Sequence, residues 1–477
     1  MRMPGEIGPL HIVGIGGIGM SAIAEILHEK GYAVQGSDQK ESGNVRRLRA
    51  MGIRVFVGHD ATNLAGARHI VVSSAVKDNN AELQAARDQG LPIIRRAEML
   101  AELMRLCATV SVTGTHGKTT TTSLIAHIFV AAGCDPTVIT GGIINAWGSN
   151  ARLGQGKWMI VEADESDGTF IKLPTQIGVV TNIDPEHLDH FKTVENMHHE
   201  FAIFLRNIPF YGLAIVCGDH PVAAQLIEQL QLRRDGRRLL TYGRGEDADL
   251  VLTSARVAGV TTSFDADLGL RVAGGARQLR GWTLPIPGEH NALNALAAIA
   301  AASEAGIPDP TIRAAIAGFS GVTRRFQLTG TVAGISIYDD YAHHPVEIAA
   351  ILRAARAGAL GRIIAVVEPH RYTRVRDLLS EFAACFVDAD CVIIAPLYAA
   401  GEPPIAGIDH RALAEAVRGS GHRAVTTVAS AREIAAALRR CAKAGDAVVC
   451  LGAGNSTEWA HALPEWLSGA PPPGSEA

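Results

Sequence analysis

The sequence predicts an α/β protein of three domains, and three observations carry that prediction. The first is length: 477 residues exceed what one ordinary hydrophobic core organises, and at roughly 100 to 200 residues per domain three is the expected number. The second is alternation. From residue 10 onward, short apolar runs take turns with helix-like stretches, the pattern of βαβ units feeding a parallel sheet. The third is that two glycine turns, "GIGGIG" at 14–19 and "GTHGKTTTT" at 114–122, each follow an apolar strand and open a helix.

In chain order, "HIVGIG", "YAVQGSD", "IRVFVGH" and "HIVVSSAV" alternate with the helical "NVRRLRAMG" and "NAELQAARDQG", which predicts a Rossmann-like parallel sheet over 1–107. A second series, "ATVSVT", "KWMIVEADES", "IGVVTNI" and "LAIVCGD", begins a central α/β domain over 108–321. Within it, residues 249–285 alternate apolar and polar as added antiparallel strands do, and "PGEHNALNALAAIAAASEAG" reads as an Ala-rich helix ended by Gly306 and Pro308. After "GVTRRFQLTG", the runs "ISIYDDY", "GRIIAVVEPHRY", "DCVIIAPLY" and "GDAVVCLGAG" predict a third, again Rossmann-like, α/β domain over 322–477, with "SGAPPPGSEA" as a frayed end.

Composition excludes several classes. Hydrophobic content of 47%, charged content of 19% and mean hydropathy of +0.14 describe a packed globular chain, not a disordered one. A net charge of -4 and a pI near 6.5 give no basic field for a nucleic acid. No run of about 18 apolar residues suggests a membrane span, and the glycine-broken N-terminus does not read as a signal peptide. The seven cysteines contain no C-x-x-C, and Cys217, Cys391 and Cys450 lie in strand-like runs, so buried thiols in a reducing cytoplasm are expected.

Gly14, Gly16 and Gly19 match G-x-G-x-x-G, with Gly17 inside the turn and Asp38 about twenty residues on, where a ribose-binding acid would sit. Physically the turn offers close backbone approach and a helix N-terminus to any diphosphate. A nicotinamide or flavin dinucleotide, a nucleotide sugar, and mere tight packing all remain open on this motif, so a dehydrogenase is one rival reading. The second loop, shorter between its glycines than G-x-x-x-x-G-K-[ST], is more informative. Gly114 and Gly117 let backbone N–H groups curl toward phosphate oxygens around Thr115 and His116, Lys118 places a cation against the β and γ phosphates, and Thr119 offers Mg²⁺ a hydroxyl, with Thr120 behind it. A regulatory nucleotide switch is the second rival.

Acids cluster where parallel strands end. "VEADESDGTF" places Glu162, Asp164, Glu165 and Asp167 after one strand, and "TNIDPEHLDHF" brings Asp184, Glu186, His187 and Asp189 after the next, offering carboxylate and imidazole to cations that bridge phosphates. Zinc is not indicated, since no H-E-x-x-H occurs.

Taken with "PGEHNALNALAA", "RRF", "YDDYAHHP", "EPHRYTR" and "YAAGE" in that order from about 10 to 460, these motifs resemble the Mur ligases, ATP-dependent amide-forming enzymes of peptidoglycan precursor synthesis in cell-wall biogenesis. Within the family, "GIGGIGMSAIAEIL" and "HRYTR" resemble the branch that joins L-alanine to UDP-N-acetylmuramate. The resemblance implies a central ATPase domain of P-loop type, with Gly114 to Thr120, Asn291, Asn294, Arg325 and Asp340 at ATP. It implies Thr119, Glu162 and His187 at Mg²⁺, and Lys118, Glu162, His187 and Arg325 in catalysis. It further implies the first loop and Asp38 at the UDP moiety, with His59, Ser73, Ser74, Arg95 and Arg96 as weaker candidates there, and His370, Arg371, Arg374 and Tyr341 at the amino acid. One departure stands out: several relatives carry a metal-bridging carbamylated lysine after the "HLD" segment, whereas "VENMHHEFAIFLRN" has none and Lys192 lies too early. The L-alanine branch generally lacks it too. The implied partners are small molecules, and the sequence leaves a homodimer open.

Because nucleotide and amino-acid contacts come from different domains, the third domain is expected to swing closed over bound nucleotide about "GVTRRFQLTG" and to exclude water from a reactive acyl phosphate. Solution scattering should show a smaller radius of gyration with an ATP analogue plus acceptor than without; identical profiles would refute the closure.

Overall fold

The computed structural model describes residues 7–73, 75–105, 107–358 and 361–469. It divides into two compact units, one of 1–252, 266–279 and 293–316, the other of 253–265, 280–292 and 317–477.

The first unit holds two sheets. Strands β1 (Leu10–Val13), β2 (Val34–Asp38), β3 (Arg54–Val57), β4 (His69–Val72) and β5 (Ile93–Arg95) form an all-parallel sheet in the order β3-β2-β1-β4-β5. β1 is buried along its whole length, as the centre of a sheet covered on both faces must be. The order reverses beside β1, so the "GIGGIG" turn after β1 opens at the topological switch point where such sheets bind ligands.

This sheet hides a polar network. Glu82, fully buried, accepts from Ser37 Oγ at 2.5 Å and from Asn63 Nδ2 at 2.6 Å, and its Oε2 lies 3.4 Å from His11 Nε2 and 3.3 Å from His59 Nδ1. Burial alone would raise its pKa, but the hydrogen bonds from His11, Ser37 and Asn63 outweigh it and hold the carboxyl at about 2. A carboxyl depressed from 4.5 in the unfolded chain stabilises the fold above pH 4.5, and that contribution is lost as pH falls toward 2. The shift corresponds to about 3 kcal/mol. Glu82→Gln should therefore lower the unfolding temperature at pH 7 and flatten its dependence on pH between 4.5 and 2. An equally steep acid transition in the variant would refute this.

The second sheet comprises β6 (Ala108–Thr113), β7 (Thr137–Ile144), β8 (Ser149–Arg152), β9 (Trp158–Glu162), β10 (Ile177–Val180), β11 (Leu213–Cys217), β12 (Leu239–Gly243) and β13 (Leu250–Ala258). Its order in this unit is β13-β12-β11-β10-β6-β9-β7-β8. β6, β9, β10, β11 and β12 run parallel, and β7 pairs parallel with β9 but antiparallel with β8. The β7–β8 hairpin and β12 are additions to what the sequence reading found. The central strands are buried at nearly every position, so their sequences read as unbroken apolar runs.

In the second unit lie residues 261–265 of β14 (Thr261–Leu268) and 280–284 of β15 (Arg277–Leu284), strands that follow β13 in the order β13-β14-β15. Only Gly259 and Val260 separate β13 from β14, a connection that permits only an antiparallel pair. The other sheet of this unit contains β16 (Gln327–Val332), β17 (Ile335–Asp340), β18 (Ile363–Val367), β19 (Cys391–Ile394), β20 (Val425–Thr427) and β21 (Ala447–Leu451) in the order β16-β17-β21-β18-β19-β20. All its pairs are parallel except β16 with β17. Cys217 and Cys450 are buried as expected, whereas Cys391 is only half-buried because it begins its strand at the sheet's end.

Candidate active site

The lysine-bearing turn is shaped from beneath. Gly114 has φ 127°, and a Cβ there would lie 2.1 Å from Thr181 Oγ1. Gly117, with φ 80°, caps the helix Lys118–Ala131, and its Cβ would lie 2.8 Å from Asn294 Oδ1. No L side chain fits either place. The end of β10 holds the turn open: Asn182 Oδ1 accepts from His116 N at 2.7 Å, Thr181 Oγ1 donates to His116 O at 2.6 Å, and Thr115 Oγ1 donates to Asp184 O at 3.0 Å. Asp184 also faces His116 Nε2 at 3.4 Å and His220 Nε2 at 3.2 Å; burial would raise its pKa, but the hydrogen bonds from these two histidines drive it far down. The turn is thus fixed before any ligand arrives.

Lys118 sits under this turn, donating to Gly114 O at 2.6 Å, Thr115 O at 3.0 Å and Glu165 Oε1 at 2.7 Å. Burial would lower its pKa, but the carboxylates of Glu165, Asp164 and Glu162 outweigh burial and keep it cationic. Glu165 is itself buried, and desolvation raises its carboxyl against the pull of Lys118. Thr119, Thr120, Thr121 and Thr122 are all buried on the helix, and Thr119 Oγ1 donates to Glu162 Oε1 at 2.9 Å. The other oxygen of Glu162 accepts from Thr140 Oγ1 at 3.0 Å and Gly141 N at 2.6 Å, both on β7. His187 stands at the β10 end of the same edge with φ 54°, its Nε2 3.7 Å from Glu165 Oε1.

A cavity of about 220 Å³ joins this edge to the first sheet, with Gly19 and Arg96 on one side and Thr140, Glu162 and Asp164 on the other. Arg96 lies 3.4 Å from Asp164 and 3.5 Å from Asp167. Arg95, named in the sequence reading as a candidate, is exposed: it caps the helix Arg96–Met104, and its backbone N–H donates to Glu98. In the first glycine turn, Gly14 N donates to Ser37 O, Gly17 caps the helix Ile18–Glu29, and Asp38 Oδ2 accepts from Gly16 N at 2.9 Å. Asp38 therefore closes the turn on itself, and His59 belongs to the buried Glu82 network. Ser73 Oγ accepts from Ala75 N; Ser74 lies outside the described residues.

Within the second unit, Arg325 is flanked by two residues of positive φ, Arg324 at 63° and Phe326 at 48°. Such strain collects at functional positions. Asp340, at the end of β17, accepts from Phe326 N at 2.7 Å and Ala342 N at 2.8 Å, and burial raises its carboxyl to about 6 despite Arg325 nearby. Tyr341 lies under both guanidiniums, 4.6 Å from Arg324 and 5.5 Å from Arg325. Beyond it, His343 packs edge-on against Tyr341 and His370, and His370 stacks on Tyr398 at 5.5 Å. Arg374 Nη1 meets His370 Nδ1 at 3.0 Å, while Arg371, with φ 67°, approaches Glu402 at 3.9 Å. The His343–Tyr398 aromatic wall escaped the sequence reading; the only hint was "YAHHP" and "LYAAGE" at two strand ends. Asn291, buried in this unit, donates to Pro287 O at 2.7 Å.

Oxygen donors from Thr119 and Glu162, beside a lysine under a phosphate-type loop, suit a hard divalent cation sharing phosphate oxygens; the His187 imidazole is a softer donor and faces Glu165.

Comparison with known proteins now bears on this geometry. Residues 9–107 match the model described as Mur ligase family, catalytic domain, residues 112–302 the Mur ligase middle domain, and residues 324–454 the Mur ligase, glutamate ligase domain. A UDP-N-acetylmuramate--L-alanine ligase of Bradyrhizobium sp. (strain BTAi1 / ATCC BAA-1182) is 56% identical over 98% of this chain and 99% of its own. The protein of that name from Mesorhizobium japonicum is 54% identical over 98% and 100%. Among solved structures, the UDP-N-acetylmuramate-alanine ligase of Thermotoga maritima superposes with a TM-score of 0.80 at 26% identity, covering 97% of this chain and 99% of that one. A murein peptide ligase of Psychrobacter arcticus, at 24% identity and TM-score 0.69, covers 97% and 99% and shares the fold.

Proposed function

From the premise that this chain belongs to the Mur ligase family, we propose that it joins L-alanine to the lactyl carboxylate of UDP-N-acetylmuramate at the expense of ATP, in peptidoglycan precursor synthesis. The observation that carries this reading is the cavity lined at once by Gly19 and Arg96 of the first sheet and by Glu162, the partner of Thr119 on the phosphate loop. It would deliver an acceptor held at the first glycine turn to the γ-phosphate held at the second. A dehydrogenase has no use for that juncture. The first domain is assigned 1–107 and the nucleotide sugar, the second 108–321 and ATP, the third 322–477 and the amino acid.

In the first step a lactyl carboxylate oxygen attacks the γ-phosphorus and the bond to the β-phosphate oxygen breaks, leaving ADP and an acyl phosphate. Lys118 leaves Glu165 to follow the transferring phosphoryl, and the N–H groups of the turn, fixed by Asn182 and Thr181, hold the β-phosphate. Thr119 and Glu162, with His187 near, would hold Mg²⁺, which would supply positive charge to the phosphate oxygens. In the second step the amine of alanine attacks the acyl carbon, phosphate departs and the nitrogen gives up its proton. Arg374 or Arg371 would hold the alanine carboxylate by a bidentate fork, with the His370–Tyr398 stack as a wall, while Arg325 and Asp340 act at the nucleotide. The use of ATP and a nucleotide sugar supports a cytoplasmic reaction. No helix among the described residues is long and apolar enough to cross a membrane.

Phosphate release with ATP and UDP-N-acetylmuramate, across L-alanine, glycine, L-serine and a tripeptide, tests the reading. Release should be fastest with L-alanine, glycine trailing by about 10- to 200-fold for one lost methyl. Turnover indifferent to the amino acid, or faster with tripeptide, would overturn it. Arg96→Ala should raise the KM for UDP-N-acetylmuramate at least about tenfold while leaving the KM for ATP within about twofold. Equal rises in both would mean that Arg96 serves the fold rather than the acceptor.

A further inference from the structure

The first unit has a second concavity that the ligase chemistry does not use. It measures about 490 Å³ and is lined by four arginines, Arg233, Arg237, Arg238 and Arg271, over Leu213, Leu239 and Leu240. Among the described residues no carboxylate lines it. It lies at the far edge of the sheet from the phosphate loop: Leu213 and Leu239 begin β11 and β12, whereas the strand ends bearing Asp184 and His220 are on the catalytic side. A five-residue strand, spanning roughly 16 Å, separates it from the catalytic edge.

The charge of the arginines is only partly met. Asp249 is shared by Arg233 and Arg271, Glu304 takes the fork of Arg238 at 2.5 and 2.7 Å, and Arg237 donates to the backbone carbonyl of Ile208. Four guanidiniums thus meet two carboxylates. Each guanidinium carries five N–H donors, and among the described residues Arg237 and Arg271 each direct one to a protein acceptor. The three leucines beneath are buried, so the floor is a low-dielectric surface on which a guanidinium attracts an anion more strongly than in open water. The N–H donors that Arg237 and Arg271 have beyond these contacts match the several oxygens of a phosphoryl group better than a lone halide.

We propose that this basic cavity is a binding site for a compact phosphoryl anion, separate from both phosphate loops. The full-length enzyme, saturated with ADP and UDP-N-acetylmuramate so that the two glycine turns are filled, should bind inorganic pyrophosphate in calorimetry. Arg237→Ala/Arg271→Ala should weaken that binding at least about tenfold with kcat unchanged, and Arg237→Lys/Arg271→Lys, which keeps charge but loses the fork, should weaken it less. A sugar phosphate titrated in parallel separates an organic ester, which would bind more tightly than pyrophosphate, from the inorganic ion. The proposal fails if the saturated enzyme gives no pyrophosphate heat. It fails equally if both arginine pairs bind as the parent does, or if chloride at equal ionic strength displaces pyrophosphate as well as phosphate does.

Discussion

Lys118→Ala should lower the rate of amide formation by about 10³-fold or more, equivalent to about 4 kcal/mol or more of transition-state stabilisation. The reasoning is geometric. Lys118 is the one ammonium beneath the turn among the residues described there, fixed by two backbone carbonyls and Glu165, and the three acids around it keep it charged. Charge spreading onto the transferring phosphoryl meets no replacement if it is removed. The variant should fold, because deleting the ammonium leaves Gly114, Gly117 and their β10 contacts in place, although Glu165 loses its partner and, with that pull against desolvation gone, its carboxyl rises further. Rates from coupled ADP release, alongside unfolding temperature, test this. Activity within tenfold of the parent in a folded variant would remove the phosphate loop from the mechanism.

Glu162→Gln should cut kcat by about 10² to 10³-fold and raise the Mg²⁺ concentration for half activity at least about tenfold. The amide can satisfy the same neighbours: its oxygen can accept from Thr140 Oγ1 and Gly141 N, and its NH₂ can donate to Thr119 Oγ1. Packing is preserved and only the negative charge disappears, so a fall in rate reports electrostatics at the cation. A normal Mg²⁺ response with a lowered kcat would instead mean that Glu162 only orders β7 against the loop helix.

Much of the catalytic edge was legible in the sequence because it is built from local backbone chemistry. Glycines on either side of Thr115 and His116, a lysine at the helix start and acids directly after two apolar strands need no tertiary knowledge to be read. What escaped needed three dimensions. The β7–β8 hairpin was hidden by Gly141 and Gly142, which break the strand pattern although Gly141 N is what Glu162 holds. Arg95 and Arg96 could not be told apart, since one residue at a helix start turns the side chain by about 100°; Arg96 lines the cavity and Arg95 does not. β20, three residues long, carries too little pattern to register, and β16 is only half-buried. Asp38 stood at the spacing of a ribose ligand, yet its bond to Gly16 N is visible only once the chain is folded.

Lys118 rests on Glu165 and on its own turn. A triphosphate entering the loop must draw Lys118 away from that carboxyl, so nucleotide uptake is a displacement rather than a simple addition.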